Sequence, residues 1–225
     1  MFQSLIHLKI VFLIMKNILF IILVLGTQLS FSQMSEGVIQ YSIDIEAADT
    51  SLKSRQTAGL LYNSMMKIFF TKDLLRIDYK MGEMTDMKMI IDYDRNASLS
   101  LVENNQGKFA ILKKADELEY QNERDENSTI KLFNDTKKVL GYTCKKAVVT
   151  SNGLKTVYWY TDQINIDFKG QEFFDKKIPG FPMVFTTIQG GMKMSYQVSN
   201  LLDFVENKTD VFSTIPPAGY QVVAQ

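Results

Sequence analysis

The chain has 225 residues, of which 25 are basic and 25 are acidic, so its formal net charge at pH 7 is zero. This balance excludes a nucleic-acid partner of the kind that a basic surface attracts. One cysteine excludes an internal disulfide. The one histidine, His7, lies in a segment that we expect to be removed, which excludes catalytic triads built on histidine.

The first 32 residues have the layout of a secretory signal peptide. Lys16 precedes an apolar run over residues 18–25, and Ser30-Phe31-Ser32 places small residues before Gln33. A membrane-spanning helix is the alternative, but such a helix needs roughly 20 mostly apolar residues, and two lysines interrupt this stretch. The pattern therefore favours cleavage after Ser32.

Removal of residues 1–32 leaves a single predicted domain over residues 33–225, with Met15 as an alternative start site. The removed segment holds two lysines and no acidic residue, so the mature chain has 23 basic and 25 acidic residues. No cysteine directly follows the apolar run, so the protein is not expected to be a lipoprotein. The expected location is the periplasm or the outside of the cell.

Strand patterns dominate from residue 37 onward. Residues 37–47, GVIQYSIDIEA, alternate apolar and polar side chains, as in a strand with one buried face. Lys72-Asp73 separates two further patterns and predicts a hairpin over residues 65–81. Other strands are predicted over 87–94, 97–103, 108–114, 129–135, 144–151, 154–161, 181–189 and 192–202, and Cys144, in the stretch 137–149, is interpreted as lying inside a strand.

Turn signals join these strands into hairpins. Asn152-Gly153 and Gly190-Gly191 both favour two-residue turns with positive φ. Helix signals are few: residues 49–61, capped by Asp49 or Thr50, residues 115–124, and a single turn after Thr209. The sequence therefore predicts a mainly β domain built as a large antiparallel meander.

Several strands are apolar on both faces, which an exposed antiparallel sheet would not be. In residues 157–161, Val157 and Trp159 alternate with two tyrosines, and residues 183–188 behave similarly. Either helices pack on the second face, or a cavity opens there. Both interpretations stay open from the pattern alone.

Methionines add a second hint of a cavity. They are adaptable core fillers, they line sites for varied apolar ligands, and thioethers also bind Cu(I). Met87 and Met89 share one strand face, and Met192, Met194 and Tyr196 share another. The pairs Asp92 with Asp94 and Asp44 with Glu46 are interpreted as solvent-facing carboxylates.

Cys144 shares a strand face with Tyr142, Lys146 and Val148. Without a histidine, a nucleophilic thiolate would need another source of stabilisation, such as a helix N-terminus. We therefore interpret Cys144 as a small, partly buried apolar side chain.

The same region carries a family resemblance. KKVLGYTCKKAVV, VYWYTDQI, KIPGFPMVF, GGMKMSYQVSNL and DVFSTIPPAGYQ resemble the domain-of-unknown-function family 4412, and residues 178–182 resemble the loop of the related GLPGLI family. That family, found in secreted proteins of Gram-negative bacteria, resembles the LolA/LolB lipoprotein carriers. The resemblance implies a curved, incompletely closed antiparallel β-barrel, with one to three short helices covering its concave face. It implies no catalytic residues.

The sequence thus predicts a non-enzymatic binding protein that holds a hydrophobic small molecule, a lipid or a lipoprotein acyl chain. No cofactor, metal or nucleic acid is expected, and a peripheral membrane contact is compatible with this function. Alternatives are an envelope interaction module without a ligand and a methionine-based copper binder. Residues 163–182 are predicted to form a movable cover. The candidate ligand-binding residues are Met87, Met89, Trp159, Phe173, Phe174, Phe181, Met183, Phe185, Met192, Met194 and Tyr196.

Overall fold

The computed structural model describes residues 33–118, 128–166 and 177–223. The predicted signal peptide, residues 1–32, lies outside the described residues and stays a prediction. The strands are β1 (Gln33–Met34), β2 (Gly37–Ala47), β3 (Met65–Phe70), β4 (Leu74–Met81), β5 (Thr85–Asp92), β6 (Ala97–Asn104), β7 (Gly107–Lys113), β8 (Thr129–Val139), β9 (Tyr142–Ser151), β10 (Leu154–Thr161), β11 (Asn165–Ile166), β12 (Phe181–Gln189), β13 (Met192–Leu202) and β14 (Gln221–Val223).

Twelve of these strands form one sheet in the order β14-β7-β6-β5-β4-β3-β2-β13-β12-β10-β9-β8. Neighbours are antiparallel except β14 and β7, which run parallel. The predicted mainly β fold and antiparallel meander are confirmed. The sheet ends at two separate edge strands, β14 and β8, and does not close into a barrel. Strands β1 and β11 form a small parallel pair of their own.

Two-residue turns with positive φ connect three of the hairpins. Asn152 and Gly153 have φ of 49° and 76°, and Gly190 and Gly191 also have positive φ, so both predicted turns are confirmed. Leu140 and Gly141 form the third turn, with φ of 48° and 85°. Strand β8 ends at Val139 and β9 begins at Tyr142, so the prediction that Cys144 lies within a strand is confirmed. A leucine in the left-handed region gives no turn signal in the sequence.

The sheet curves toward the face that carries Tyr79 and Tyr196, which we call the concave face. These residues lie on β4 and β13, three positions apart in the sheet, which is roughly 14 Å in a flat sheet. Their hydroxyl oxygens are nevertheless only 3.0 Å apart. On the same face, the hydroxyl of Tyr41 on β2 donates to the carbonyl oxygen of Pro182, 2.9 Å away on β12.

One half of the concave face is filled, and we call it the packed half. It is defined by Ile39, Ile68, Phe70, Leu75 and Ile91, which are at most 1% exposed. These residues follow one another across β2 to β5, because Ile68 pairs with Ile39 and Phe70 pairs with Leu75, which in turn pairs with Ile91. Side chains from other segments complete this core, namely Met34, Ala115, Val139, Cys144, Ile164, Phe181 and Met183.

The opposite face of β2 to β7 is covered by the C-terminal segment. Val38, Ile90, Leu99 and Leu101 form a second apolar cluster there with Val205 and Phe212. Helix α2 (Lys208–Val211) is tied to the sheet through Arg76, whose guanidinium donates to the carbonyl oxygen of Val211 at 3.0 Å and pairs with Asp78 at 2.7 Å. The expected helical cover of the concave face is therefore wrong for α2, which packs on the other face.

Helix α1 (Leu52–Leu60) connects β2 and β3 and buries none of its residues. Ser51, rather than the predicted Asp49 or Thr50, is its N-cap, because the Ser51 hydroxyl accepts from the backbone N–H of Ser54. The predicted helix over 115–124 appears as a short 3₁₀ turn at Ala115–Glu117, and residues 119–124 lie outside the described residues. Within the described part of the chain, no helix is long and apolar enough to span a membrane.

Candidate ligand-binding site

The second half of the concave face, which we call the open half, contains a cavity of ≈ 350 Å³. This volume is at the small end of the range for small-molecule sites, roughly 300–1,000 Å³. Residues of β3 to β6 line one side, and residues of β12 and β13 line the other. The lining residues are Met66, Ile77, Tyr79, Met87, Lys88, Met89, Ser100, Leu101, Val102, Phe185 and Tyr196.

Strand register explains why these residues meet. Ile77 pairs with Met89, which pairs with Ser100, and Tyr79 pairs with Met87, which pairs with Val102. The result is two parallel rows of side chains across β4, β5 and β6, all on the concave face. Lys88 and Leu101 belong to the opposite face by strand alternation, so they border the cavity through their backbone. Among the described residues that line the cavity, the side chains on the concave face are therefore apolar, apart from Ser100 and two tyrosine hydroxyls.

The cavity also confirms the direction of curvature. Val102 on β6 and Phe185 on β12 lie six strands apart in the sheet, roughly 30 Å in a flat arrangement. A single cavity of ≈ 350 Å³ touches both. The two flanks of the sheet must therefore rise toward each other over this face.

Aromatic rings form the wall on β12 and β13. The rings of Phe185 and Tyr196 are stacked, with centroids 4.3 Å apart and an angle of 10° between their planes. Tyr41 meets Phe185 edge-on at 5.8 Å, and Tyr158 stacks against Phe185 at 5.9 Å. Such contacts fix ring orientations, so this wall is formed without a ligand.

Two hydroxyls form the main polar feature of the cavity. The hydroxyls of Tyr79 and Tyr196 lie 3.0 Å apart, and either can be the donor. Burial and, after it, the hydrogen bond to Tyr79 raise the pKa of Tyr196. Both factors keep its hydroxyl protonated, because an apolar surrounding disfavours the phenolate. The Tyr196 hydroxyl also lies 3.9 Å from the Met194 sulfur, a weak acceptor.

Four predicted ligand-binding residues line this cavity: Met87, Met89, Phe185 and Tyr196. Two others are buried in the packed half. Phe181 is 6% exposed, and Met183 is fully buried where the register between β10 and β12 shifts. Neither residue lines this cavity, and strand alternation alone does not reveal where a register shift falls.

Trp159, Met192 and Met194 also do not line the cavity. The ring of Trp159 is instead covered by the ammonium groups of Lys137 and Lys146, 4.7 and 5.9 Å from its centroid. Met192 begins β13 beside the Gly190-Gly191 turn, beyond the end of the cavity. Phe173 and Phe174 lie outside the described residues.

The sequence prediction missed Met66, Ile77, Tyr79, Ser100 and Val102. A signal was present in LLRIDYKM, residues 74–81, where Leu75, Ile77 and Tyr79 alternate with charged residues. The alternation marks one buried face but gives no sign that the end near Tyr79 borders a cavity.

The predicted cover, residues 163–182, is described only at its ends. Ile164 is packed in the packed half, and the side-chain oxygen of Gln163 accepts from the backbone N–H of Thr143 at 2.8 Å. At the other end Ile178 is buried against Ala147, Val149 and Tyr160 in a third apolar cluster. Residues 167–176 lie outside the described residues, so the cover stays a prediction.

Two larger depressions have a different character. One, of ≈ 770 Å³, lies at the turns after β4 and β6, and the other, of ≈ 530 Å³, lies beside the turn between β3 and β4. Charged and amide side chains dominate both linings, which include Lys80, Glu83, Asp86, Lys72 and Asp73. Neither offers the apolar enclosure of the open half.

Cys144 is fully buried in the packed half. Its thiol lies 3.7 Å from the carbonyl oxygen of Tyr142. Burial raises the pKa of this thiol, and nearby Lys137 offsets the effect in part. This arrangement agrees with an inert thiol. Within the described ranges, no group of three or more histidine, cysteine or acidic side chains is placed to hold a metal ion.

Comparisons with known proteins give one family match. A family model described as N-glycanase peptide, N-terminal domain, matches residues 63–172, just under half of the chain. No curated protein matches the chain.

Solved structures of PNGF-II are similar to the chain over most of its length. In one crystal form the TM-score is 0.42 with 15% identity, covering 84% of this chain and 31% of PNGF-II. In a second form the values are 0.40 and 14%, covering 83% and 30%. A LolA superfamily protein from Nitrosomonas europaea has a TM-score of 0.23 with 9% identity, covering 80% of this chain and 90% of that protein. The chain spans about a third of the length of PNGF-II.

The resemblance to family 4412, to GLPGLI proteins and to LolA/LolB carriers is therefore wrong. The family model that matches is the N-glycanase one, and the match to the LolA superfamily protein is weak. The motif residues on which the resemblance was based have structural roles that are common in β-sheets. Gly141 completes a tight turn, Cys144 fills a core site, and a Cβ on Gly180 would lie 2.5 Å from the carbonyl oxygen of Thr161. Unrelated sheets share such needs.

Proposed function

We propose that this protein is a non-enzymatic binding protein that holds one apolar small molecule, such as a lipid acyl chain, in the cavity of the open half. The observation that carries the proposal is the nearly complete apolar side-chain lining of that cavity. Met66, Met87 and Met89 supply adaptable thioethers on one side, and the stacked pair of Phe185 and Tyr196 supplies a fixed wall on the other.

Exposure of the lining supports this proposal. Met87 is 44% exposed although it points to the concave face. A side chain of this kind gains roughly 1.5–3 kcal/mol when it is fully buried. An apolar ligand would bury it without any rearrangement of the sheet.

The test uses N-phenyl-1-naphthylamine, a neutral apolar dye whose fluorescence rises when it leaves water. Wild-type protein should bind the dye, and Ser100→Leu, which adds a branched side chain to the cavity wall, should weaken binding at least tenfold. Ser42→Leu is the matched control, because Ser42 is exposed on the opposite face of the sheet. Mass spectrometry of an organic extract of the purified protein would then identify the natural ligand.

Two outcomes would contradict the proposal. The wild-type protein could fail to bind the dye, or Ser100→Leu and Ser42→Leu could bind it equally well. The first outcome would favour an envelope interaction module without a ligand, and a Cu(I) titration would test the methionine-based alternative.

We propose a secreted or periplasmic protein cut after Ser32, and intact mass of the exported form tests this. We also propose an incompletely closed barrel, and the single cavity that touches both Val102 on β6 and Phe185 on β12 supports this shape.

The family match favours a second candidate, a module that accompanies an N-glycanase. It rests on the description of the model that matches residues 63–172. Titration with an N-linked glycopeptide separates the candidates, because a module of this kind should bind the glycopeptide whether or not Ser100→Leu blocks the apolar cavity.

A further inference from the structure

We propose that the hydroxyl pair of Tyr79 and Tyr196 selects, among apolar ligands, those that carry a neutral acceptor oxygen such as an ester carbonyl. This inference rests on the proposed function, since it specifies which apolar molecules the same cavity prefers. It goes beyond apolar binding because it assigns a polar contact, a ligand class and a pair of specificity-determining residues.

The hydroxyl pair carries one proton more than its own contact uses. Two tyrosine hydroxyls carry two protons, and the contact between them at 3.0 Å uses one. The other described partner is the Met194 sulfur, 3.9 Å from the Tyr196 hydroxyl. A thioether is a weak acceptor, so one proton of the pair is left without a strong acceptor whichever tyrosine donates to the other.

The position of the pair directs this proton to a ligand. Both tyrosines line the cavity, together with Ile77, Met89 and Phe185. The pair is only partly buried, so water can meet this proton in the empty protein, and a ligand oxygen would replace that water with a direct hydrogen bond. Polymethylene chains lack such an oxygen, whereas acyl esters carry it next to the chain.

Charge decides between a neutral and an anionic acceptor. Lys80 and Lys88 are the basic residues nearest to Tyr79 and Met87 along β4 and β5, and strand alternation directs both side chains to the other face. An unpaired carboxylate in an apolar site is costly because it loses its hydration. A carboxylate ligand would therefore lose its hydration without gaining a cation as its partner. An ester carries no charge and needs no such partner.

The experiment compares three probes with nearly equal chains: undecane, methyl decanoate and ionised decanoate at pH 8. Each displaces N-phenyl-1-naphthylamine, and the dissociation constants are measured for wild type and for Tyr79→Phe/Tyr196→Phe. Because the probes differ in hydration, the deciding quantity is the ratio of undecane to methyl decanoate dissociation constants. We expect the double variant to lower this ratio about five- to tenfold, as loss of one hydrogen bond predicts.

Ser100→Ala removes the other hydroxyl of the lining and is measured as a competing candidate. Ser42→Ala is the matched control, because Ser42 is exposed on the opposite face of the sheet. It should leave the ratio unchanged, and wild type should bind methyl decanoate more tightly than decanoate. The single variants Tyr79→Phe and Tyr196→Phe repeat the measurement should the double variant fold poorly. Retained undecane binding shows that each variant keeps its cavity.

The outcomes separate this inference from the proposed function. If undecane and the ester bind but the tyrosine variants leave their ratio unchanged, the inference is wrong and the apolar function stands. Loss of the preference in Ser100→Ala alone would assign the contact to Ser100 and overturn the role of the tyrosines. If no probe binds wild type, the proposed function fails and the inference fails with it.

Discussion

The packed half and the open half of the concave face are built from the same strands, yet the side chains of one half are buried and those of the other border a cavity. On β4, Leu75 is 1% exposed, while Tyr79, four residues later on the same face, borders a cavity. On β5, Ile91 is fully buried and Met87 is 44% exposed. In each pair, both residues occupy apolar positions on the same face of the strand. The alternation of apolar and polar residues therefore does not distinguish the two halves.

The difference comes from what the connecting segments contribute. In the packed half, Met34, Ala115 and Ile164 come from outside the large sheet and fill the space over β2 to β5. In the open half, the described residues that line the cavity all belong to the sheet. A curved sheet thus makes a concavity by itself, and the loops decide how much of it is filled.

The largest expected effect tests this contrast directly. Leu75→Ala should lower the free energy of unfolding by about 3 kcal/mol, because it leaves a cavity in a packed region. Met87→Ala, a truncation of similar size in the open half, should cost less than about 0.5 kcal/mol, as exposed sites do. Urea unfolding followed by tryptophan fluorescence measures both. Equal losses would mean that the two halves are packed alike.

Two serines on β6 sharpen the comparison. Ser98 and Ser100 share the concave face, but Ser98 is 2% exposed and donates to the carbonyl oxygen of Lys113 at 3.0 Å. Ser98→Leu should destabilise the protein by about 2 kcal/mol through overpacking. Ser100→Leu should change stability by less than about 0.5 kcal/mol, because the cavity has room for the added atoms.

The readouts of the two serine variants are also expected to differ. Ser98→Leu should lower the urea midpoint and leave dye affinity unchanged. Ser100→Leu should leave the urea midpoint nearly unchanged and lower dye affinity. A Ser98→Leu protein that is stable but no longer binds the dye would show that the dye-binding cavity lies beside Ser98, in the half that we describe as packed.

Cys144 provides a chemical probe of the packed half. Cys144→Ser should cost about 1 kcal/mol, since a hydroxyl replaces a buried thiol. The wild-type thiol should react with a thiol reagent only at the rate of unfolding. Because burial raises its pKa, wild type should lose stability relative to Cys144→Ser as the pH rises above about 8.5. Rapid labelling of the native protein would contradict a sealed packed half.

Much of the fold could be predicted because the relevant signals are local. Alternation in residues 37–47 and the pairs Asn152-Gly153 and Gly190-Gly191 located a strand and two turns that the structure contains. Met87 and Phe185 were found in the same way. Tyr79 was missed because its neighbours across the cavity are on β13, more than a hundred residues away. Curvature and loop packing arise from such distant contacts, which no periodicity records.

The smallest expected effect concerns the turn that the sequence concealed, and it separates stability from ligand binding. Leu140 is 50% exposed and has φ of 48°, a conformation that costs most L-residues roughly 1–2 kcal/mol but suits asparagine. Leu140→Asn should therefore raise the free energy of unfolding by about 1 kcal/mol. Leu154→Asn is the matched control, because Leu154 is exposed at the start of β10 without a positive φ and should show no gain. The turn joins β8 and β9, whose residues Val139 and Cys144 are buried and are not among the described residues that line the cavity, so the stabilised variant should bind the dye with unchanged affinity. A coupled change in affinity would show that the two halves respond as one unit, and the distinction between them would then be one of exposure alone.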